Sequence, residues 1–155
     1  MPRIDIDAAP TRRGCGYPSP YDEPCSDRVR TQLGDAGGLT QFGVNLLRLA
    51  PGVWSSQRHW HTAEDEFVWV VEGEVVLVTD EGEQVLKAGE CAAFPAGVAN
   101  GHHLQNRSEW DAVVLEVGSR DPHADGCDYP DIDMVIRPGE EIARHRDGTP
   151  YPHGA

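Results

Sequence analysis

Two stretches of this chain carry residues able to hold a metal ion and put it to use. The first is His59-Trp60-His61-Thr62-Ala63-Glu64-Asp65-Glu66; the second, about forty residues on, is His102-His103-Leu104-Gln105-Asn106. Alternate side chains of an extended strand share a face, so His59 and His61 present both imidazoles to one side. Glu66 follows His61 by five positions and opens the apolar run Phe67-Val68-Trp69-Val70-Val71. If the chain reverses there, a carboxylate joins the two imidazoles. Neutral imidazole and carboxylate together suit one divalent transition metal ion, Fe, Mn, Ni or Zn, and the lack of nearby cysteine argues against a closed structural zinc site.

The elements that must position these groups are strands. From Thr40 the sequence breaks into short apolar or alternating runs punctuated by turn residues. Gln41 to Ala50 ends at Pro51-Gly52, and Val53 to His61 leads into the ligand turn. Phe67 to Val71, Val75 to Thr79, Gln84 to Lys87 and Cys91 to Phe94 follow, separated by Glu72-Gly73, Asp80-Glu81-Gly82 and Ala88-Gly89. His102 to Asn106, Trp110 to Val117 and Ile132 to Ile136 complete the set, the last closed by Pro138-Gly139. Strands of this length, with no long helical pattern between them, predict an all-β sandwich or barrel. Jelly-roll closure would bury the strand edges and leave an interior wide enough for a ligand.

These stretches resemble the two motifs of the cupin superfamily. Gly52, His59, His61, Glu66 and Gly73 fit the first, with six residues after Gly52 where five are usual. Gly89, Pro95, Gly97, His102 and Asn106 fit the second, except that four residues separate Gly97 from His102. That departure leaves His102 and His103 as adjacent candidates for a fourth ligand, and His102 keeps the motif's spacing to Asn106. The resemblance implies a cupin jelly roll (double-stranded β-helix), a metal centre of His59, His61, Glu66 and His102, and a homodimer. Within the superfamily the chain looks like small bacterial cupins labelled sugar-phosphate isomerases by analogy. Cupin activities also include dioxygenases, decarboxylases and lyases, so fold and ligands do not choose the reaction.

Proton transfer would need a further acid or base beside the metal. Glu64, in the turn before Glu66, and His103, beside the fourth ligand, are the catalytic candidates. Alternation turns His103 away from His102, which favours a structural role, and carboxylates in turns are commonly solvated. Gln57 shares the parity of His59 and His61 and is expected to face the cavity, binding substrate or a metal-bound water. Arg48, on the preceding run, is the candidate for an anionic substrate group. Trp60 and Trp69 alternate to the face opposite the metal, toward sheet packing or a dimer interface; Trp54 and Trp110 are expected in the core.

The chain has 155 residues, enough for one domain with its own core. Residues 1–39, rich in proline and glycine, read as an irregular N-terminal arm, with Ser26 to Gly34 offering one or two helical turns. Residues 40–140 read as the β-barrel domain and 141–155 as an exposed C-terminal tail containing Arg144, His145, Arg146 and His153. The four aspartates between 125 and 133 lack the glycine and glutamate of a calcium loop and read as a solvated connection.

With 26 acidic residues against 13 Lys and Arg, the formal net charge is −13. Such a chain repels phosphate backbones and anionic membranes, so nucleic-acid and membrane partners are not expected. No apolar run approaches a bilayer's width, no signal peptide is evident, and a cytoplasmic protein is expected. Cys15, Cys25, Cys91 and Cys127 are scattered and expected to be free thiols, Cys91 as a small core residue. The expected function is a metal-dependent enzyme acting on an oxygen-rich small molecule, an isomerase of sugars or sugar phosphates or a dioxygenase. A cupin that binds or senses a small molecule without turning it over is the alternative.

Overall fold

In the computed structural model, which describes residues 3–152, the chain is built almost entirely of strands. They are β1 (Thr11–Arg13), β2 (Val29–Gln32), β3 (Phe42–Leu49), β4 (Trp60–His61), β5 (Glu66–Glu72) and β6 (Glu74–Thr79). β7 (Gly82–Lys87), β8 (Cys91–Phe94), β9 (His103–Gln105), β10 (Ala112–Ser119), β11 (Cys127–Tyr129) and β12 (Met134–Ile136) follow. A single helical turn, α1 (Leu33–Ala36), lies between β2 and β3.

Two layers face each other. One is an antiparallel six-stranded sheet in the order β1-β2-β3-β10-β5-β8. The other is made of the three-stranded sheets β7-β6-β9 and β12-β11-β4, which a bridge pairing between His59 and His102 links. Leu47, Leu49, Val68, Val70 and Val114 of the large sheet meet Val75, Leu77, Leu86 and Leu104 of the opposing layer. This is the jelly roll that the alternating runs predicted. Along β5 the period of two is explicit: Val68 and Val70 are buried, whereas Trp69 is 47% exposed on the outer face. Each such core side chain contributes about 1.5–3 kcal/mol on leaving water.

Two motif residues serve this frame and not the chemistry. Gly73 turns β5 into β6 with φ +74, and a Cβ there would lie 2.8 Å from the Asp111 carbonyl oxygen. Only glycine fits both demands. Asn106 is fully buried and donates through Nδ2 to Leu49 O and Trp110 O, both at 2.7 Å. Its Oδ1 accepts from Ser108 N at 3.0 Å and from the Ser108 hydroxyl at 2.8 Å, so it staples the end of β3 to the loop before β10.

Several local expectations are corrected. Ser26 to Gly34 does not form a helix: Val29–Gln32 is β2, paired with Arg48 to Asn45 of β3 and with β1 beyond it. The open edge of β3 offers these residues a full ladder, which outweighs a marginal two-turn helix capped by Ser26. The N-terminal arm thus supplies two strands to the large sheet. Trp110 is 78% exposed in the loop before β10, where its backbone carbonyl is engaged by Asn106 Nδ2 and the Ser108 hydroxyl. Cys91 is exposed opposite Trp69 on the outer face of the same sheet. The C-terminal stretch does not simply trail into solvent. Arg144 pairs with Val135, and Tyr151 packs against the Cys127, Tyr129 and Met134 cluster while its hydroxyl donates to Asp133 O at 2.7 Å. His153 lies outside the described residues. Among those described, no helix is long and apolar enough to cross a membrane.

Candidate metal centre

Three imidazoles converge on one oxygen of the Glu66 carboxylate. Glu66 is the first residue of β5 and lies opposite Phe94 of β8 in the large sheet. His59 and His61 come from the segment ending in β4, and His102 stands just before β9. From Glu66 Oε2 the Nε2 atoms of His102, His59 and His61 lie at 2.8, 3.6 and 3.7 Å. The donors of His59, Glu66 and His102 all fall within 4.8 Å of one another, with His61 beside them. The Phe94 ring stacks on the His102 imidazole at 3.6 Å and fixes its plane.

The hydrogen-bond network sets the tautomers of two of these rings. His59 Nδ1–H donates to the Gln57 carbonyl at 2.8 Å, and His61 Nδ1–H donates to Asp125 Oδ2 at 2.6 Å. In their neutral forms both rings therefore carry the free lone pair on Nε2, the atom that faces Glu66. Two such lone pairs beside a carboxylate are donors that one cation can share, so the residues present fit a divalent metal ion by their own chemistry. Burial by itself would raise the Glu66 carboxyl, but the hydrogen bond from His102 and the neighbouring imidazoles hold it well below the ordinary carboxylate value. Burial dominates at His102 and lowers its pKa.

A cavity of about 300 Å³ opens onto this cluster. Glu64 and Glu66 line it, together with Arg28, Arg30, Asn45 and Glu116. Arg30 and Glu116 make a bidentate pair, with Nε–Oε2 at 2.7 Å and Nη2–Oε1 at 3.0 Å. The wall is thus polar and ionisable, not a smooth apolar surface.

The other candidate residues are distributed unevenly. Glu64 reaches the cavity, its Oε1 accepting from Asp121 N at 2.6 Å, and burial raises its carboxyl pKa. His103 turns from the cluster toward Ser56 and Gln105: Nδ1–H donates to Ser56 O at 2.9 Å, and Nε2 lies 2.9 Å from Gln105 Nε2. Trp54 packs edge-on against its ring, and burial pushes its pKa down to about 4, a structural setting. The structure does not bring Gln57 or Arg48 to the cavity as side chains. Gln57 Nε2 donates to Tyr21 O at 2.6 Å, so this residue serves the site through its carbonyl. Arg48 is 54% exposed and pairs with Asp111 at 3.4 Å.

Sequence reasoning missed Asp125 and Arg28. Asp125 sat in a run of aspartates that read as solvated, yet its side chain is 10% exposed and its Oδ1 also accepts from Ala63 N and Glu64 N at 2.8 and 3.1 Å. No local pattern announces a contact spanning more than sixty positions. Arg28 and Arg30 share a strand parity, a usable signal had the segment been read as a strand.

Comparisons with known proteins agree with this geometry. Residues 45–118 match the family model described as "Cupin domain". A crystal structure from Silicibacter pomeroyi DSS-3, described as a sugar phosphate isomerase from the cupin superfamily, shares 45% identity over 97% of both chains with a TM-score of 0.91. A protein of Acidithiobacillus ferrooxidans, provisionally described as a sugar phosphate isomerase, shares 31% identity over 78% of both chains with a TM-score of 0.72. A Thermotoga maritima protein described as a predicted oxalate decarboxylase shares the fold at 19% identity and a TM-score of 0.59, over 76% of this chain and 97% of its own. Comparison with functionally curated sequences found no match. With both motifs in place, the jelly roll built and a full-length relative at this level of identity, the chain belongs to the cupin superfamily.

Proposed function

We propose that this cupin is a metal-dependent small-molecule enzyme of the sugar-phosphate isomerase kind, with one divalent transition metal ion (Fe, Mn, Ni or Zn) held by His59, His61, Glu66 and His102. The observation that carries the reading is the set of three Nε2 atoms within 3.7 Å of a single Glu66 oxygen, two of them with Nδ1 already donating elsewhere. An ion bound there would act as a Lewis acid on adjacent oxygens of a substrate. Glu64 stands at the cavity wall as the group to take up and return a proton. The Arg30–Glu116 pair and Asn45 offer donors and acceptors to hydroxyl groups along the substrate. Two relatives described as sugar phosphate isomerases support the same substrate class.

The test is elemental analysis of protein purified without a chelating column, followed by isomerisation assays on sugars and sugar phosphates with the iron and manganese forms. His59→Ala and His102→Ala should abolish metal uptake while leaving a folded β protein by circular dichroism. Metal content unchanged in both variants would refute the centre. Oxygen uptake by the iron form without isomerisation would move the assignment to a dioxygenase. Retention of a ligand without turnover would move it to a binding or sensing protein.

A further inference from the structure

Three arginines line the cavity, and two already have carboxylate partners. Arg30 is held by Glu116, and Arg120 Nη2 lies 2.9 Å from Asp35 Oδ1. Arg28 differs. It is 8% exposed, and its guanidinium is satisfied only by backbone carbonyls: Nε donates to Gly14 O at 3.1 Å and Nη1 donates to Ser55 O. Among the described residues no carboxylate comes within ion-pair distance of it, and Nη2 has no protein partner. Nη2 is not among the polar atoms sealed from solvent, and the cavity is the space that Arg28 lines.

A buried guanidinium without a counter-charge is costly, and dipoles of two carbonyls offset only part of that cost. The remaining planar edge suits an oxyanion, which guanidinium binds through paired hydrogen bonds. Position supports this, since Nη1 rests on the carbonyl of Ser55, four residues before His59, in the segment that delivers the first two imidazoles. The chain's net charge of −13 gives anions no general attraction, so local capture must supply it.

We propose that Arg28 is the anion-binding group of this cavity, docking the phosphate or carboxylate of a small substrate whose other oxygens reach the His59, Glu66 and His102 cluster. The proposal rests on the small-molecule enzyme reading and names the part of the substrate that the reading leaves open. Arg28 thus takes the role that the sequence assigned to Arg48.

The experiment uses metal-stripped protein, so that anion binding is not bound up with the ion. Inorganic phosphate, malonate and neutral ribose are titrated by calorimetry into the wild type, Arg28→Met, Arg28→Lys and Arg120→Met. The wild type should bind one of the two anions and not ribose, and whichever anion binds tells phosphate from carboxylate. Arg28→Met should weaken that binding roughly tenfold or more, as expected for lost charge-assisted hydrogen bonds. Arg28→Lys should weaken it less, because a point charge remains without the planar fork, and it decides the matter alone if the Met variant does not fold. Arg120→Met should match the wild type. No anion binding by the wild type, equal affinity in both Arg28 variants, or a loss confined to Arg120→Met would each overturn the proposal. Metal uptake is measured separately on the same proteins, and its absence counts only against the metal-centre reading.

Discussion

Replacing Asp125 by asparagine should cost the centre metal affinity while leaving the fold nearly unchanged. One oxygen of Asp125 accepts from Ala63 N and Glu64 N, and the other accepts from His61 Nδ1 at 2.6 Å. In Asp125→Asn the amide oxygen stays with the two backbone N–H groups, since the reverse orientation would set donors against donors. The amide NH2 then faces His61 Nδ1, which must become an acceptor. The ring proton moves to Nε2, where it points toward Glu66 and blocks the lone pair that a metal ion needs. Removing such an outer partner typically lowers metal affinity 10- to 100-fold, which is about 1.4–2.7 kcal/mol. Competition titrations of Mn2+ and Zn2+ against a chromophoric chelator, with His61→Ala as the baseline, would read this directly. The metal-free variant should melt within about 2 °C of wild type, because both backbone caps survive. Asp125→Ala removes those caps as well and should lose stability on top of affinity. Wild-type affinity in Asp125→Asn would show that Asp125 does not orient His61.

Gly73→Ala should destabilise the protein by about 2 kcal/mol or more, seen as a lowered melting temperature, since Ala at φ +74 is strained and its Cβ meets the Asp111 oxygen at 2.8 Å. Equal melting temperatures would show that the β5–β6 turn relaxes freely. Asn106→Ala should cost about 1–3 kcal/mol in urea unfolding, because it strands the buried Leu49 carbonyl and takes the acceptor from Ser108 N. Metal content of the folded Asn106 variant should stay at the wild-type level; loss of metal at full stability would instead place Asn106 in the centre. The Arg58 guanidinium, hydrogen-bonded to Asp131 at 2.5 and 2.7 Å, holds that carboxyl below its ordinary 3.8. An acid with a lowered folded pKa stabilises above its unfolded value and loses that contribution as pH falls through the folded one. The stability difference between wild type and Asp131→Asn should therefore be greatest well above 3.8 and vanish in stronger acid. With Asp131 55% exposed it should not exceed about 1 kcal/mol. A difference that grows in acid would refute the assignment.

The sequence by itself determined the shell and the nucleus of the candidate site. Period-two runs such as Val68, Trp69 and Val70 fix which face is buried, because a strand has only two faces and water rejects one set. The His-x-His pair, with Glu66 on the following strand, sets out the candidate metal ligands in residue type and spacing alone. What surrounds that nucleus depends on contacts between distant segments. Asp125 reaches His61 across 64 positions and Arg28 reaches Ser55 across 27, while Gln57, plausible by parity, and Arg48, plausible by its place on the preceding run, find partners elsewhere. The β2 segment offered a short helical pattern and no strand pattern, since its ladder hydrogen bonds exist only once β3 offers an edge. Local pattern reports what a segment would bury or ligate; which charge stands opposite it, and so which group is left free for a substrate, is decided only when the two layers close.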